Sequence, residues 1–128
     1  MEILSSRTIL RPTDYQRTLA FYRDGLGLAI HREYSAGTVF FAGQSLIELA
    51  AHGGASGPTS FDGALWLQVR DIESAAAELR ARGIPIERAA KTEFWGLTEM
   101  WLRDPDGVDI VLVQIPADHP LRRDVRGD

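Results

Sequence analysis

The chain has 128 residues, 45% of them hydrophobic and 25% charged, with no cysteine and a formal net charge of -4. That length suits one domain around a single core, and the missing cysteine excludes disulfide frameworks, thiolate zinc sites and cysteine nucleophiles. An acidic balance argues against nucleic acid as a partner, and the absence of any long apolar run or cationic leader predicts a cytoplasmic chain with no membrane partner.

A strand-like run from Arg7 reaches Asp14, an N-cap residue, and opens a helix whose apolar stripe is Tyr15, Leu19, Tyr22 and Leu26, closing at Gly25 to Gly27. Three short strands follow, Leu28 to Tyr34, Thr38 to Ala42 and Ser45 to Ala51, parted by Ser35-Ala36-Gly37 and Gly43-Gln44. A linker rich in glycine, serine and proline covers residues 52–60. The order then repeats. A strand from Ala64 reaches Asp71, and a helix carries Ile72, Ala76 and Leu79 to Gly83. Strands are predicted at Ile86 to Lys91, Leu97 to Arg103 and Val108 to Ile115, with the turn Asp104-Pro105-Asp106-Gly107 before the last. The prediction is α+β: module one 1–51, module two 61–115, and a polar tail 116–128 expected to fray or to dock on a partner.

This duplicated β-α-β-β-β arrangement has Leu19-Ala20-Phe21-Tyr22-Arg23-Asp24-Gly25-Leu26-Gly27 at its first helix end and Arg103-Asp104-Pro105-Asp106-Gly107 before its last strand. It resembles the vicinal oxygen chelate superfamily, which holds glyoxalase I, extradiol dioxygenases and the fosfomycin and bleomycin resistance proteins. The resemblance covers residues 4 to 115 and implies an eight-stranded, half-barrel-like fold with a ligand cavity between the modules, usually in a homodimer. The Phe94-Trp95-Gly96 segment looks most like the metal-free bleomycin resistance branch and would put Trp95 at the cavity mouth.

Metal-dependent members of that superfamily take ligands from the first and last strand of each module, positions that fall here on Arg7, Glu48, Ala64 and Val111. Only Glu48 is a competent ligand, so no cofactor is expected and a divalent metal is disfavoured. The histidines, His31, His52 and His119, lie away from these positions and read as incidental.

Strand alternation then sorts the side chains. With Glu48 facing the cavity, Leu46 and Ala50 face it too, joined by Arg7 and Ile9, by Phe41, by Ala64, Trp66 and Gln68, by Glu99 and Trp101, and by Val111. The ligand-binding set expected from the sequence is therefore Arg7, Phe41, Leu46, Glu48, Trp66, Gln68, Trp95, Glu99, Trp101 and Val111, with Arg7 paired to Glu48. The leading expectation is a metal-independent protein that binds an aromatic or amphipathic small molecule, as in antibiotic sequestration, and the negative net charge favours a cationic guest. The alternative is an enzyme, a lyase, isomerase or dioxygenase, with a rearranged metal site or with Glu48 as general base.

Overall fold

Residues 1–51 and 61–121 are described by the structure, a computed structural model. Along them run β1 (Thr8–Leu10), α1 (Tyr15–Ala20), β2 (Ile30–Tyr34), β3 (Gly37–Ala42), β4 (Ser45–Ala50), β5 (Ala64–Gln68), α2 (Ile72–Ala81), β6 (Arg88–Thr92), β7 (Thr98–Arg103) and β8 (Asp109–Gln114). The predicted linker with His52, and the end of the predicted tail, lie outside the described residues. The chain divides into two compact units, one of Met1–Asp62 with Asp104–Gly107, the other of Gly63–Arg103 with Val108–Asp128. Each holds one four-stranded sheet, ordered β1-β4-β3-β2 in the first and β5-β8-β7-β6 in the second. The architecture is α+β with two tandem modules, as the repeat in the sequence predicts.

In the first unit β1 runs parallel to β4, and β4, β3 and β2 are antiparallel neighbours. Helix α1 opens at Asp14, whose carboxylate accepts from the Arg17 backbone N–H at 3.2 Å. It does not keep the even spacing read from the sequence. A single π turn, Phe21–Gly25, follows α1, with the Leu26 N–H bonded to the Phe21 carbonyl at 2.8 Å. That wider turn rotates the helix so that Phe21 and Tyr22 are both buried, whereas the predicted stripe includes Tyr22 alone. Leu28 still bonds to the Tyr22 carbonyl, which is why β2 begins at Ile30 and not at Leu28. One sheet face packs Leu10, Phe40, Ile47 and Leu49 toward these helical residues. The Tyr22 and Phe40 rings lie 6.3 Å apart, and the Tyr15 hydroxyl meets Thr38 Oγ1 at 2.6 Å.

The Asp104–Gly107 turn belongs to this first unit. Tyr22, fully buried, donates to Asp104 Oδ2 at 2.9 Å, while Asp104 Oδ1 accepts from the Asp106 N–H at 2.8 Å. Asp106 in turn accepts from the Thr13 N–H at 3.2 Å. Burial foremost, and the Asp104 carboxylate second, push the Tyr22 phenol far above its ordinary value. A proton held more tightly in the folded state stabilises that state fully below pH ~10, where both states are protonated. Above that pH the unfolded chain ionises while the folded one does not, so stability falls by up to about 1.4 kcal/mol per pH unit. Urea unfolding between pH 8 and 11 should show this alkaline decline, and Tyr22→Phe should flatten it. A variant profile as steep as the parent's would remove Tyr22 as its source.

The second unit repeats the plan. β5 is parallel to β8, with β8, β7 and β6 antiparallel. Asp71 caps α2, accepting from the Glu73 and Ser74 N–H groups at 3.0 and 3.2 Å, and the Gln114 side chain accepts from the Ile72 N–H at 2.8 Å. Another of the unpartnered donors at the helix start is thereby satisfied. The α2 stripe of Ile72, Ala76 and Leu79 is buried, as are Met100, Leu102, Ile110 and Leu112 on the strands.

Candidate functional site

The opposite face of the first sheet carries the polar cluster. Cross-strand neighbours share a face, so the pairing Ile9↔Glu48↔Val39↔Arg32 forms one row and Phe41↔Leu46 belongs to another. Glu48 is buried at 8% exposure, and its two carboxylate oxygens are both engaged. Arg7 Nη1 donates to Oε1 at 2.9 Å, and the Tyr34 hydroxyl donates to Oε2 at 2.7 Å. Arg32 stands over the Tyr34 ring with its guanidinium carbon 5.1 Å from the centroid. Burial first, then the bond to Glu48, hold the Tyr34 phenol above its ordinary value, so at neutral pH it is a proton donor and not a phenolate.

Tyr34 reaches Glu48 across Gly37, its register partner. The sequence assigns Gly37 to a turn. It is instead the first residue of β3, buried beneath the Tyr34 ring. The reason for glycine there is room and not backbone conformation, since its φ is not positive. A glycine facing an aromatic across two turn residues is the sequence signal that would have found Tyr34.

In the second unit the corresponding face mixes aromatic, apolar and charged side chains. Trp66, Val111, Trp101 and Arg88 form one lateral row, and Gln68, Val113, Glu99 and Lys91 the next. Trp66 is 48% exposed, and Val111 is buried between the two indole positions. Trp101 packs against the cluster of Leu97, Val111, Val113 and Ile115. Glu99, buried, accepts from Trp95 Nε1 at 2.8 Å, and Arg88 donates to the Glu99 carbonyl at 3.0 Å and pairs with Glu93. Trp95 lies beside Phe94, their rings edge-to-face at 4.7 Å, in the turn between β6 and β7.

The structure thus brings Arg7 and Glu48 into the contact expected of them, with Leu46 and Phe41 on the same face by register. Trp66, Gln68, Glu99, Trp101 and Val111 share one face of the second sheet. Val111 is covered by its neighbours and presents almost no surface, and the carboxylate of Glu99 is taken up by Trp95. His31 is exposed with its ring edge-to-face on Phe41 at 4.8 Å. His119 corrects its reading as incidental, because Nε2 meets the Trp95 carbonyl at 3.0 Å and Nδ1 accepts from the Leu121 N–H at 3.2 Å. The start of the tail, expected to fray or to dock on a partner, is thereby bonded to the Trp95 turn. Tyr34 and Arg88 complete these clusters, and neither stands in a motif quoted from the sequence.

At the four positions where a divalent cation would be held, the side chains offer few donor atoms. Arg7 is a permanent cation, Ala64 and Val111 have no donor atom, and both Glu48 oxygens already accept hydrogen bonds. Among the described residues no group of three or more His, Cys, Asp or Glu side chains is arranged to hold a metal ion. The donor set does not fit a metal. No helix among them is long and apolar enough to cross a membrane.

The family model described as Glyoxalase/Bleomycin resistance protein/Dioxygenase superfamily matches residues 5–112. No curated protein matches the sequence. Among solved structures, a bleomycin resistance determinant encoded on the transposon Tn5 is similar at 26% identity and a TM-score of 0.69, over 88% of this chain and 98% of that one. A bleomycin-binding protein complexed with bleomycin matches at 24% identity and 0.69, over 89% and 100%. A lactoylglutathione lyase from Agrobacterium tumefaciens matches at 20% identity and 0.68, over 89% and 94%.

Proposed function

The chain belongs to the Glyoxalase/Bleomycin resistance protein/Dioxygenase superfamily, and from that membership we propose that it is a metal-independent small-molecule-binding protein whose ligand has a flat aromatic or amphipathic body. The observation that carries this reading is the row Trp66, Val111, Trp101 on one sheet face, with Trp66 left 48% exposed. A half-exposed indole beside the buried Val111 is a poor surface to leave in water and a good one for stacking. The poverty of the donor set supports independence from metal. Glu48 is poorly suited to act as a general base, since Arg7 and Tyr34 occupy both of its oxygens. The likeness to a bleomycin resistance determinant and a bleomycin-binding protein supports sequestration of an antibiotic as the biological form of this activity.

Titration with a naphthyl amphiphile should perturb tryptophan emission and saturate. Trp66→Ala should weaken the binding about tenfold, the loss of one stacking contact of about 1.4 kcal/mol, and prior dialysis against a chelator should leave it unchanged. Loss of binding after chelation, or full affinity in Trp66→Ala, would overturn the reading.

A further inference from the structure

We propose that His119 is a positioning residue of the ligand-binding face in the second unit: it straps the Trp95 turn to the start of the tail and so keeps the Trp95 indole on Glu99. This rests on the small-molecule reading above and names the residue that sets one border of that face. The His119 N–H bonds to the Pro116 carbonyl at 3.0 Å, which turns the chain back, and Nδ1 accepts from the Leu121 N–H at 3.2 Å. A backbone N–H can only donate, so Nδ1 carries no proton. The ring's proton therefore sits on Nε2, which donates it to the Trp95 carbonyl 3.0 Å away. Histidine suits this bridge because one rigid ring offers an acceptor and a donor on separate edges. The turn is shaped to receive it. Gly96 adopts a φ of +92°, a conformation that favours glycine, and a β-carbon there would fall 3.0 Å from His119 Cδ2, so the glycine also leaves room for the ring.

The turn needs an outside hold. Phe94 and Trp95 are 96% and 46% exposed, so packing restrains them little. The bonds from the Glu93 N–H to the Leu97 carbonyl and from the Gly96 N–H to the Glu93 carbonyl close its base, and among the described residues the Trp95 carbonyl is left to His119. What the strap protects is the state of Glu99. The buried Glu99 carboxylate accepts from Trp95 Nε1 at 2.8 Å, and Glu99 stands in the row of Gln68 and Val113, next to the row of Trp66, Val111 and Trp101. If the turn swung away, that carboxylate would lose its donor at the border of the stacking surface, where an unsatisfied charge opposes contact with an apolar ring.

A pair of substitutions separates the two edges of the ring. His119→Asn keeps an oxygen that can accept from the Leu121 N–H, as in an Asx turn, but is too short to reach Trp95. His119→Gln extends a donor toward the Trp95 carbonyl and gives up the local acceptor. In the isotope-labelled full chain, solvent exchange of the Trp95 indole N–H, identified by its loss in Trp95→Phe, is followed by NMR. It should quicken about tenfold in His119→Asn, the scale of one hydrogen bond, and by less than about threefold in His119→Gln, with the Trp66 and Trp101 indoles unchanged in both. Affinity for the naphthyl amphiphile should fall at least about threefold in His119→Asn and stay near the parent's in His119→Gln. Equal exchange in the two variants, faster exchange in His119→Gln, or all indoles quickening together would overturn the strap. Full affinity in His119→Asn would overturn its positioning role and leave the binding function intact. A parent protein that does not bind the amphiphile would overturn both.

Discussion

Glu48→Ala is expected to lower the free energy of unfolding by about 2–3 kcal/mol. The substitution removes the acceptor of two donors at once, leaving the Arg7 guanidinium and the Tyr34 hydroxyl facing a void in the sheet. Deleting one partner of a buried ion pair costs about 3–5 kcal/mol because the survivor keeps its desolvation penalty. Arg7 is more than one third exposed and recovers part of its hydration, which places the loss at or below the lower end of that range. Glu48→Gln preserves shape and an acceptor, and should cost clearly less. Urea denaturation of both variants measures this. A loss below about 0.5 kcal/mol in Glu48→Ala would show that these two bonds do not hold the face together. A double-mutant cycle with Tyr34→Phe separates the phenol's share from that of the guanidinium.

Gly37→Ala should cost about 2 kcal/mol, within the 1–3 kcal/mol typical of overpacked sites. A β-carbon at position 37 falls 2.5 Å from Tyr34 Cζ and 2.6 Å from the Leu49 carbonyl oxygen. The ring can swing aside only by giving up Glu48, and the carbonyl belongs to the backbone of the adjoining strand. The substitution therefore disturbs the Tyr34 bond to Glu48 and the β3–β4 pairing together. Truncating the ring should relieve half of the conflict, so Gly37→Ala combined with Tyr34→Ala should be less damaging than the sum of the two changes. Strict additivity in thermal or chemical unfolding would mean that the ring is not the reason for glycine there.

Much of the architecture was legible because it rests on local chemistry. Asp14 and Asp71 cap helices through their own neighbours two or three residues along, and alternation placed Glu48 and Leu46 on one face, with Ile47 and Leu49 on the other. The π turn was not legible, since the same residues satisfy an ordinary helical stripe and only the packing of Phe21 and Tyr22 selects the wider turn. The anchoring of the start of the tail was not legible for a similar reason. His119 meets the Trp95 carbonyl 24 residues away, besides the local Leu121 N–H.

The sequence by itself determined the duplicated strand, helix, three-strand order and the lack of a donor atom at Ala64 and Val111, because periodicity, capping and donor chemistry are properties of short stretches or of single residues. Tertiary structure alone decided which groups meet. Tyr34 bonds to Glu48 across 14 residues, Arg7 to Glu48 across 41 and Tyr22 to Asp104 across 82. Contacts of that span depend on strand register, on the room left by Gly37 and on side-chain rotamers, none of which a linear pattern specifies. The same register turned Arg7 from one arginine among many into the partner of Glu48 in the first sheet, and left Trp66 48% exposed in the second.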